Sequence, residues 1–329
     1  MADITSEYLG IKLKNPLIAS SSPLTGCLDK VRELEDAGVA AVVLPSLFEE
    51  ELIEDQEMMH GTLDFQDIGF GEADSFLPEA HIYQSHLDQY LEKAQAIKSS
   101  LDIPVIASLN GRSLSGWLEN AKLLEELSCD ALELNTYHVA ANITDNAVDV
   151  ESEYTLLVSE LRAAVSVPIT VKLSPQYSSL GNYIQQLRHN GANGVVLFNR
   201  FYQPDIDLDT LSLESRLQLS TSAEALERIR WIALLSKKID LSFAATGGFH
   251  SVEDVVKAML AGGDAVYLCS VLLQQGPSHI KELLAAMQDW LLKKEYESIS
   301  QLKGSLCYEH SEDAITYERG NYLSVLQSY

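Results

Sequence analysis

Basic side chains are scarce in this chain of 329 residues: 23 lysines and arginines stand against 48 aspartates and glutamates, a formal net charge of -25. A surface so negative repels phosphate backbones and anionic headgroups, which excludes nucleic acid and membrane surfaces as partners. It leaves a solvated acidic exterior or a docking face for a basic or redox partner protein. Long apolar runs are missing too, with no stretch of about 18 such residues, and Met1 to Tyr8 has neither a basic segment nor an apolar signal core. The expectation is a cytoplasmic protein. Cysteine is sparse and scattered: Cys27, Cys129, Cys269 and Cys307 contain no Cys-x-x-Cys pair, so neither a zinc knuckle nor a cluster ligand set assembles locally.

No glycine- or serine-rich linker divides the chain, and 46% hydrophobic against 22% charged residues is the balance of a globular protein with a large core. Short β-rich apolar runs alternate with longer helical patterns. The strand candidates are Leu17 to Ser21, Ala41 to Ser46, Val105 to Leu109, Ala131 to Tyr137, Ile169 to Leu173, Gly194 to Asn199, Leu241 to Thr246 and Ala265 to Cys269. Helical patterns follow near residues 29–37, 84–99, 115–127, 151–164, 179–190, 222–237, 251–261 and 277–294. Glycines at Gly38, Gly191 and Gly262 mark helix ends, and Pro104 and Pro168 precede strands. Eight such units predict a single (β/α)8 TIM barrel over residues 1–302, with a carboxyl-terminal extension, residues 303–329, packed on it. Residues 47–80 after the second strand and 200–221 after the sixth are long connections, expected as lids or binding loops on the catalytic face.

In this architecture polar residues at the last positions of strands point into the site. That filter selects Ser20 and Ser21, Ser46, Ser108 and Asn110, Asn135 with His138, Lys172, Asn199 with Arg200, Thr246-Gly247-Gly248, and Cys269-Ser270. The last two groups follow the seventh and eighth strands, where barrels build phosphate sites from backbone N–H groups and a helix dipole. A tight structural turn is the competing reading of the two glycines. Lys172 lies inside an apolar strand, where a lysine is expensive to bury alone. It suits either a cation beside a flavin ring or an amine that forms a Schiff base, as in a lyase or aldolase. The run Glu49-Glu50-Glu51 reads as a solvated helix start, and His60, His81 and His86 match no zinc spacing.

Several of these segments together resemble a known family. Asn15-Pro16, Ser20-Ser21-Ser22, Glu133-Leu134-Asn135, Val171-Lys172-Leu173-x-Pro175, Asn199, Ala245-Thr246-Gly247-Gly248 and Cys269-Ser270 are similar, in order and spacing, to the soluble class of dihydroorotate dehydrogenases. The resemblance runs from Asn15 to about Gly304. It implies an FMN-dependent enzyme that oxidises dihydroorotate to orotate, a step of pyrimidine biosynthesis, in a family whose soluble members are usually dimers. By position, the flavin contacts it implies fall on Ser20, Ser21, Ser46, Ser108, Asn135, Lys172 and Asn199, with the phosphate on Thr246, Gly247, Gly248, Cys269 and Ser270.

Departures from the family pattern gather where substrate would lie. Pro45 replaces the flavin-facing lysine of the second strand, Ala73-Asp74-Ser75-Phe76-Leu77-Pro78 stands for an Asn-Ser-Met-Gly-Leu-Pro loop, and Asn135-Thr136-Tyr137-His138-Val139-Ala140 for Asn-x-Ser-Cys-Pro-Asn. His138 thus occupies the place of the cysteine base, and its ordinary pKa near 6.5 suits proton transfer at neutral pH. Arg200 is a candidate carboxylate clamp beside Asn135 and Asn199, and equally a candidate surface ion pair. Loss of the amide partners weakens the case for orotate and leaves a related carbonyl or carboxylate substrate open. The remaining alternative is a flavin-binding subunit of a larger redox complex.

Overall fold

The structure is a computed structural model that describes residues 1–49, 85–110, 114–136, 139–201, 203–318 and 326–327. The chain opens with an antiparallel hairpin, β1 (Ser6–Tyr8) and β2 (Ile11–Leu13), turned by Leu9 and Gly10, both with positive φ. Turn residues in this region match the twist of the strands they join. Then β3 (Leu17–Ala19), α1 (Leu28–Ala37), β4 (Ala41–Phe48), α2 (His86–Ser100), β5 (Val105–Asn110), α3 (Leu114–Glu126), β6 (Ala131–Asn135), α4 (Ala147–Ala164), β7 (Ile169–Leu173), α5 (Leu180–His189) and β8 (Gly194–Leu197) alternate. A second hairpin, β9 (Asp205–Asp207) with β10 (Ser212–Glu214), precedes α6 (Ala225–Leu235), β11 (Ser242–Thr246), α7 (Val252–Ala261), β12 (Ala265–Leu268), α8 (Ser270–Gln275), α9 (His279–Lys293), α10 (Ile299–Leu302) and α11 (Ile315–Glu318).

Eight parallel strands close into a barrel in the order β3 to β8, β11, β12, with β12 returning to β3. The (β/α)8 barrel expected from the alternating pattern is therefore the observed fold. Four strands stop earlier than their expected runs: β3 at Ala19, β6 at Asn135, β8 at Leu197 and β12 at Leu268. Side chains beyond those ends leave the ladder and form the rim. The run at 200–221, read as one loop, contains the β9–β10 hairpin, with Ile206, Leu208, Leu211 and Leu213 exposed. Its strands are three residues long, Asp-Ile-Asp and Ser-Leu-Glu, too short and polar to register as a repeat. Glu49 is buried rather than solvated, so the acidic run does not begin in water; Glu50 and Glu51 lie outside the described residues.

Period-2 alternation assigns each strand residue to one of two cores. Leu17, Ala19, Val42, Val105, Leu132, Ile169, Val171, Val195, Phe243 and Val266 pack outward against the helices. Ile18, Ala41, Val43, Ile106, Ala131, Val196, Ala244, Ala265 and Tyr267 point inward, and Tyr8 from the first hairpin fills the amino-terminal end among them. The Tyr8 hydroxyl lies 2.9 Å from Thr170 Oγ1 and accepts from Tyr267 at 3.4 Å, with the two tyrosine rings edge to face at 6.0 Å. Gly194 leaves room for this plug: a Cβ there would lie 2.5 Å from Leu9 Cδ2. Asn15 staples the entry to β3, donating to Gly38 O at 2.8 Å and accepting from Leu17 N–H at 3.0 Å. After α10 the chain lies against α6 and α7: Leu306 N–H donates to Leu260 O and Tyr308 N–H to Ala233 O, both at 2.9 Å.

Replacing Tyr8 by Ala removes a fully buried aromatic and strips a partner from two buried hydroxyls. A loss of about 3–5 kcal/mol is expected in urea unfolding. A loss below about 1 kcal/mol would show that the hairpin does not brace the barrel.

Candidate functional site

The inward residue set turns polar toward the carboxyl ends of the strands. Parallel register aligns Ser46 with Ser108, Ser108 with Glu133, and Asn135 with Lys172, so these side chains share neighbouring levels of the interior. Ser46 keeps its inward place despite Pro45 because β4 shifts register between Val43 and Ser46, an irregularity that absorbs the missing proline N–H. The hydroxyls of Ser46 and Ser108 are hydrogen-bonded at 2.8 Å, and Ser108 donates to Glu133 Oε1 at 3.4 Å. Lys172 Nζ stands 3.8 Å from the same oxygen. Burial pushes the Glu133 carboxyl up, and Lys172 opposes that shift. Asn199 Nδ2 donates to Asn135 Oδ1 at 2.7 Å, and Thr136 Oγ1 donates to Lys172 O at 2.9 Å.

Above this layer lies a cleft of about 270 Å³. Its lining joins Ser20 and Ser21 after β3, Lys172, Asn199 and Arg200, Thr246-Gly247-Gly248 after β11, Tyr267, and Cys269-Ser270 after β12. Ser46, Ser108 and Asn135 reach it through the hydrogen bonds just described. Residues predicted from eight separate segments thus converge on one end of the barrel. His138 and the 73–78 loop lie outside the described residues.

Gly247 and Gly248 have φ of +84° and +94°, a region that L side chains rarely adopt. A Cβ on Gly248 would sit 2.4 Å from Ala225 N, so packing against the start of α6 demands this glycine in its own right. The tight structural turn is thus present, and the backbone of the two glycines also lines the cleft. Gly248 N–H donates to Ser220 Oγ at 3.1 Å, Ser220 N–H donates to Ser270 Oγ at 3.1 Å, and the Ser220 hydroxyl lies 3.1 Å from His250 Nε2. Beneath the turn, buried Arg228 donates from Nε to Thr246 O at 3.2 Å and from Nη1 to Glu224 O at 2.8 Å.

Sequence reading missed Ser220 and Arg228. For Arg228 there was a signal, since it falls on the buried stripe Ala225, Arg228, Ile232, Leu235 of α6, and a charge on the apolar face of a helix needs an internal partner. Ser220 had none, because a serine near the end of a 22-residue connection carries no pattern.

Arg200 Nε makes an ion pair with Glu224 Oε2 at 2.9 Å, and its Nη1 donates to Gln218 O. It stands between the cleft and a larger cavity of about 520 Å³ that also presents Arg216, Gln176 and Asn199. The guanidinium is paired, and its Nη2 takes part in neither of these bonds. Among the described residues no group of three histidine, cysteine, aspartate or glutamate side chains is arranged to hold a metal, and no helix is long and apolar enough to cross a membrane.

A family model described as dihydroorotate dehydrogenase matches residues 80–291. Curated relatives span nearly the whole chain. The catalytic subunit of dihydroorotate dehydrogenase B (NAD(+)) from Thermoplasma acidophilum is 25% identical over 315 residues, covering 92% of this chain and 99% of that protein. Its counterpart from Halalkalibacterium halodurans is 24% identical over 317 residues, covering 86% and 95%. The NAD-dependent dihydropyrimidine dehydrogenase subunit PreA of Escherichia coli strain K12 is 21% identical over 322 residues, covering 92% and 76%.

Cys269 borders the cleft, and burial raises its thiol pKa against the pull of Lys172 and Arg200. Less thiolate is then present at neutral pH, so alkylation of the Cys269 peptide by iodoacetamide, followed by mass spectrometry, is expected to reach half its limiting rate above the pH of about 8.5 typical of a free cysteine. A midpoint at or below that pH would show the thiol to be activated.

Proposed function

The chain belongs to the dihydroorotate dehydrogenase family, and from that membership we propose that it is an FMN-dependent oxidoreductase acting on a carbon–carbon bond next to a carbonyl or carboxylate of a small molecule. One observation carries the reading: Lys172, the glycine turn after β11, the serine-rich turn after β3 and Cys269-Ser270 after β12 border a single cleft. The donor set fits the cofactor's chemistry, with backbone N–H groups and hydroxyls at one end for a phosphate and a lysine with amides at the other for an electron-rich ring. Bound there, FMN would supply the hydride acceptor.

In this reading Thr246, Gly247, Gly248, Cys269 and Ser270 hold the phosphate, and Ser220 adds a hydroxyl to the same wall. Ser20, Ser21, Ser46, Ser108, Asn135 and Asn199 orient the ring, and Lys172 keeps a positive charge against it. Asn135, Asn199 and Arg200 face the substrate, and His138 moves the proton that accompanies the hydride. Glu224 and Gln218 hold the Arg200 guanidinium in one orientation, which suits a planar carboxylate presented to its free edge. The names of the relatives carry two substrates, dihydroorotate and a dihydropyrimidine, and Pro45 with the altered loops makes orotate one product among several for this chain.

Electrons leave, in this proposal, to a redox partner protein docked on the acidic surface, a reading supported by relatives named as subunits and by the net charge of -25. A cytoplasmic homodimer, with residues 1–302 as the FMN-binding barrel and 303–329 as an extension whose Leu306 and Tyr308 are held on α7 and α6, completes it.

Purified protein is expected to show visible flavin absorption that bleaches on anaerobic addition of a dihydropyrimidine substrate, dihydroorotate being tried first. Colourless protein that takes up no FMN in excess, or a substrate adduct trapped on Lys172 by borohydride, would overturn the assignment; the trapped adduct would mark a Schiff-base lyase. Replacing His138 by Ala should slow flavin reduction by substrate at least about a hundredfold without changing FMN affinity.

A further inference from the structure

Directly under Lys172 is an ionisable group to which the proposed chemistry gives no task. Glu133 points inward from β6 and is fully buried, and its Oε2 has no hydrogen-bond partner among the described residues. Its surroundings are set by the packed strands: Ser108 of β5 donates to Oε1 at 3.4 Å, Lys172 of β7 stands at 3.8 Å, and Tyr267 of β12 is a further polar neighbour. Tyr8 follows, hydrogen-bonded to Tyr267 at 3.4 Å. Lys172 is the one cation among these neighbours, and both tyrosine hydroxyls are held neutral by burial.

A barrel gains little stability from an ion pair in this position, because an apolar residue of like volume would spare the desolvation of two charges. A carboxylate with one bare oxygen is costlier still. Its geometry does suit a task that an apolar residue cannot perform. Lys172 is the only part of the pair that reaches the cleft, so an anionic group settling above the lysine competes with Glu133 for one positive charge. With Glu133 ionised, the barrel end would then hold two negative charges on one lysine in a low-dielectric interior. A proton on the bare Oε2 removes the excess.

We propose that Glu133 is a positioning residue that holds Lys172 at the cleft floor and balances charge there, taking up one proton from solvent water when negative charge appears above the lysine and releasing it when that charge leaves. No electron passes to Glu133; the proton goes to Oε2, and the Lys172 ammonium turns from the carboxyl to the new anion. This rests on the flavin reading for the identity of the anion, the reduced cofactor, while the proton on Glu133 is a property of the chain alone.

The test uses the full-length protein loaded with FMN, compared with Glu133→Gln, which keeps the side-chain shape and removes the charge. The midpoint potential of the bound flavin is measured against pH. The two proteins are expected to agree at low pH, where Glu133 is protonated in both the oxidised and reduced states. They should diverge as pH rises, the parent falling below the variant because an ionised Glu133 disfavours the reduced anion. A structural defect alone would shift the variant equally at every pH, and parallel curves would overturn the inference. A second measurement does not need the cofactor: in flavin-free protein the carboxylic-acid carbonyl band assigned to Glu133 by isotope labelling should appear as pH is lowered, and its absence at every pH would overturn the inference without touching the FMN assignment. Should Glu133→Gln fail to fold, Ser108→Ala serves in its place. Loss of the hydroxyl that favours the ionised form should move the carbonyl band's midpoint to higher pH, and an unmoved midpoint counts against the proposal.

Discussion

A parallel sheet closed into a barrel forces half of every strand into a narrow interior, and that interior must be filled along its whole length. At the amino-terminal end the filling is apolar and plugged by Tyr8. Toward the carboxyl ends the inward positions pass to serine, glutamate, asparagine and lysine, buried or half-buried there and linked to one another, while Glu133 Oε2 keeps no partner among the described residues. Ser46 meets Ser108, Ser108 meets Glu133, Glu133 meets Lys172, and Asn135 meets Asn199. This chain of contacts sets where the lysine stands, and the cleft, the glycine turn and the paired arginine are arranged around it.

The acidity of the molecule makes the placement of its cations informative. With 23 basic residues in all, the protein assigns Lys172, Arg200 and Arg228 to the neighbourhood of one barrel end. Arg228 takes up carbonyls rather than facing the cleft, and so anchors the turn at Thr246 to the start of α6. Burial lowers its pKa, yet a guanidinium starts so high that it keeps its charge. Backbone dipoles and a few fixed cations can thus present a local attraction to anions on a body that repels them elsewhere.

Much of this is legible in the amino-acid sequence. The eight strands follow from short β-rich runs that alternate with helical patterns, and the polar residue at the end of each run marks the rim, as Ser20, Ser108, Lys172 and Thr246 do. What escaped notice shares a physical cause. Tyr8 belongs to a hairpin too short to show a period and Ser220 to a long connection, while the stripe that carries Arg228 shows a charge on an apolar face but not the carbonyls that receive it. Glu133 was visible inside an alternating strand, but its unpaired oxygen is a fact of packing, which no linear pattern records. The expectation for the acidic run failed at Glu49 for a similar reason: β4 continues to Phe48 and carries the next residue under cover.

The plug at the barrel's base bears on how the chain assembles. Tyr8 touches Tyr267 across 259 positions of sequence, so the first hairpin cannot make this contact until β12 has been synthesised. Contacts this distant carry a large loop-closure penalty and slow the search for the native topology. Until then the hairpin must wait beside a half-built sheet whose unpaired edges are open to other chains, and the base of the ring is sealed only once its last strand is in place.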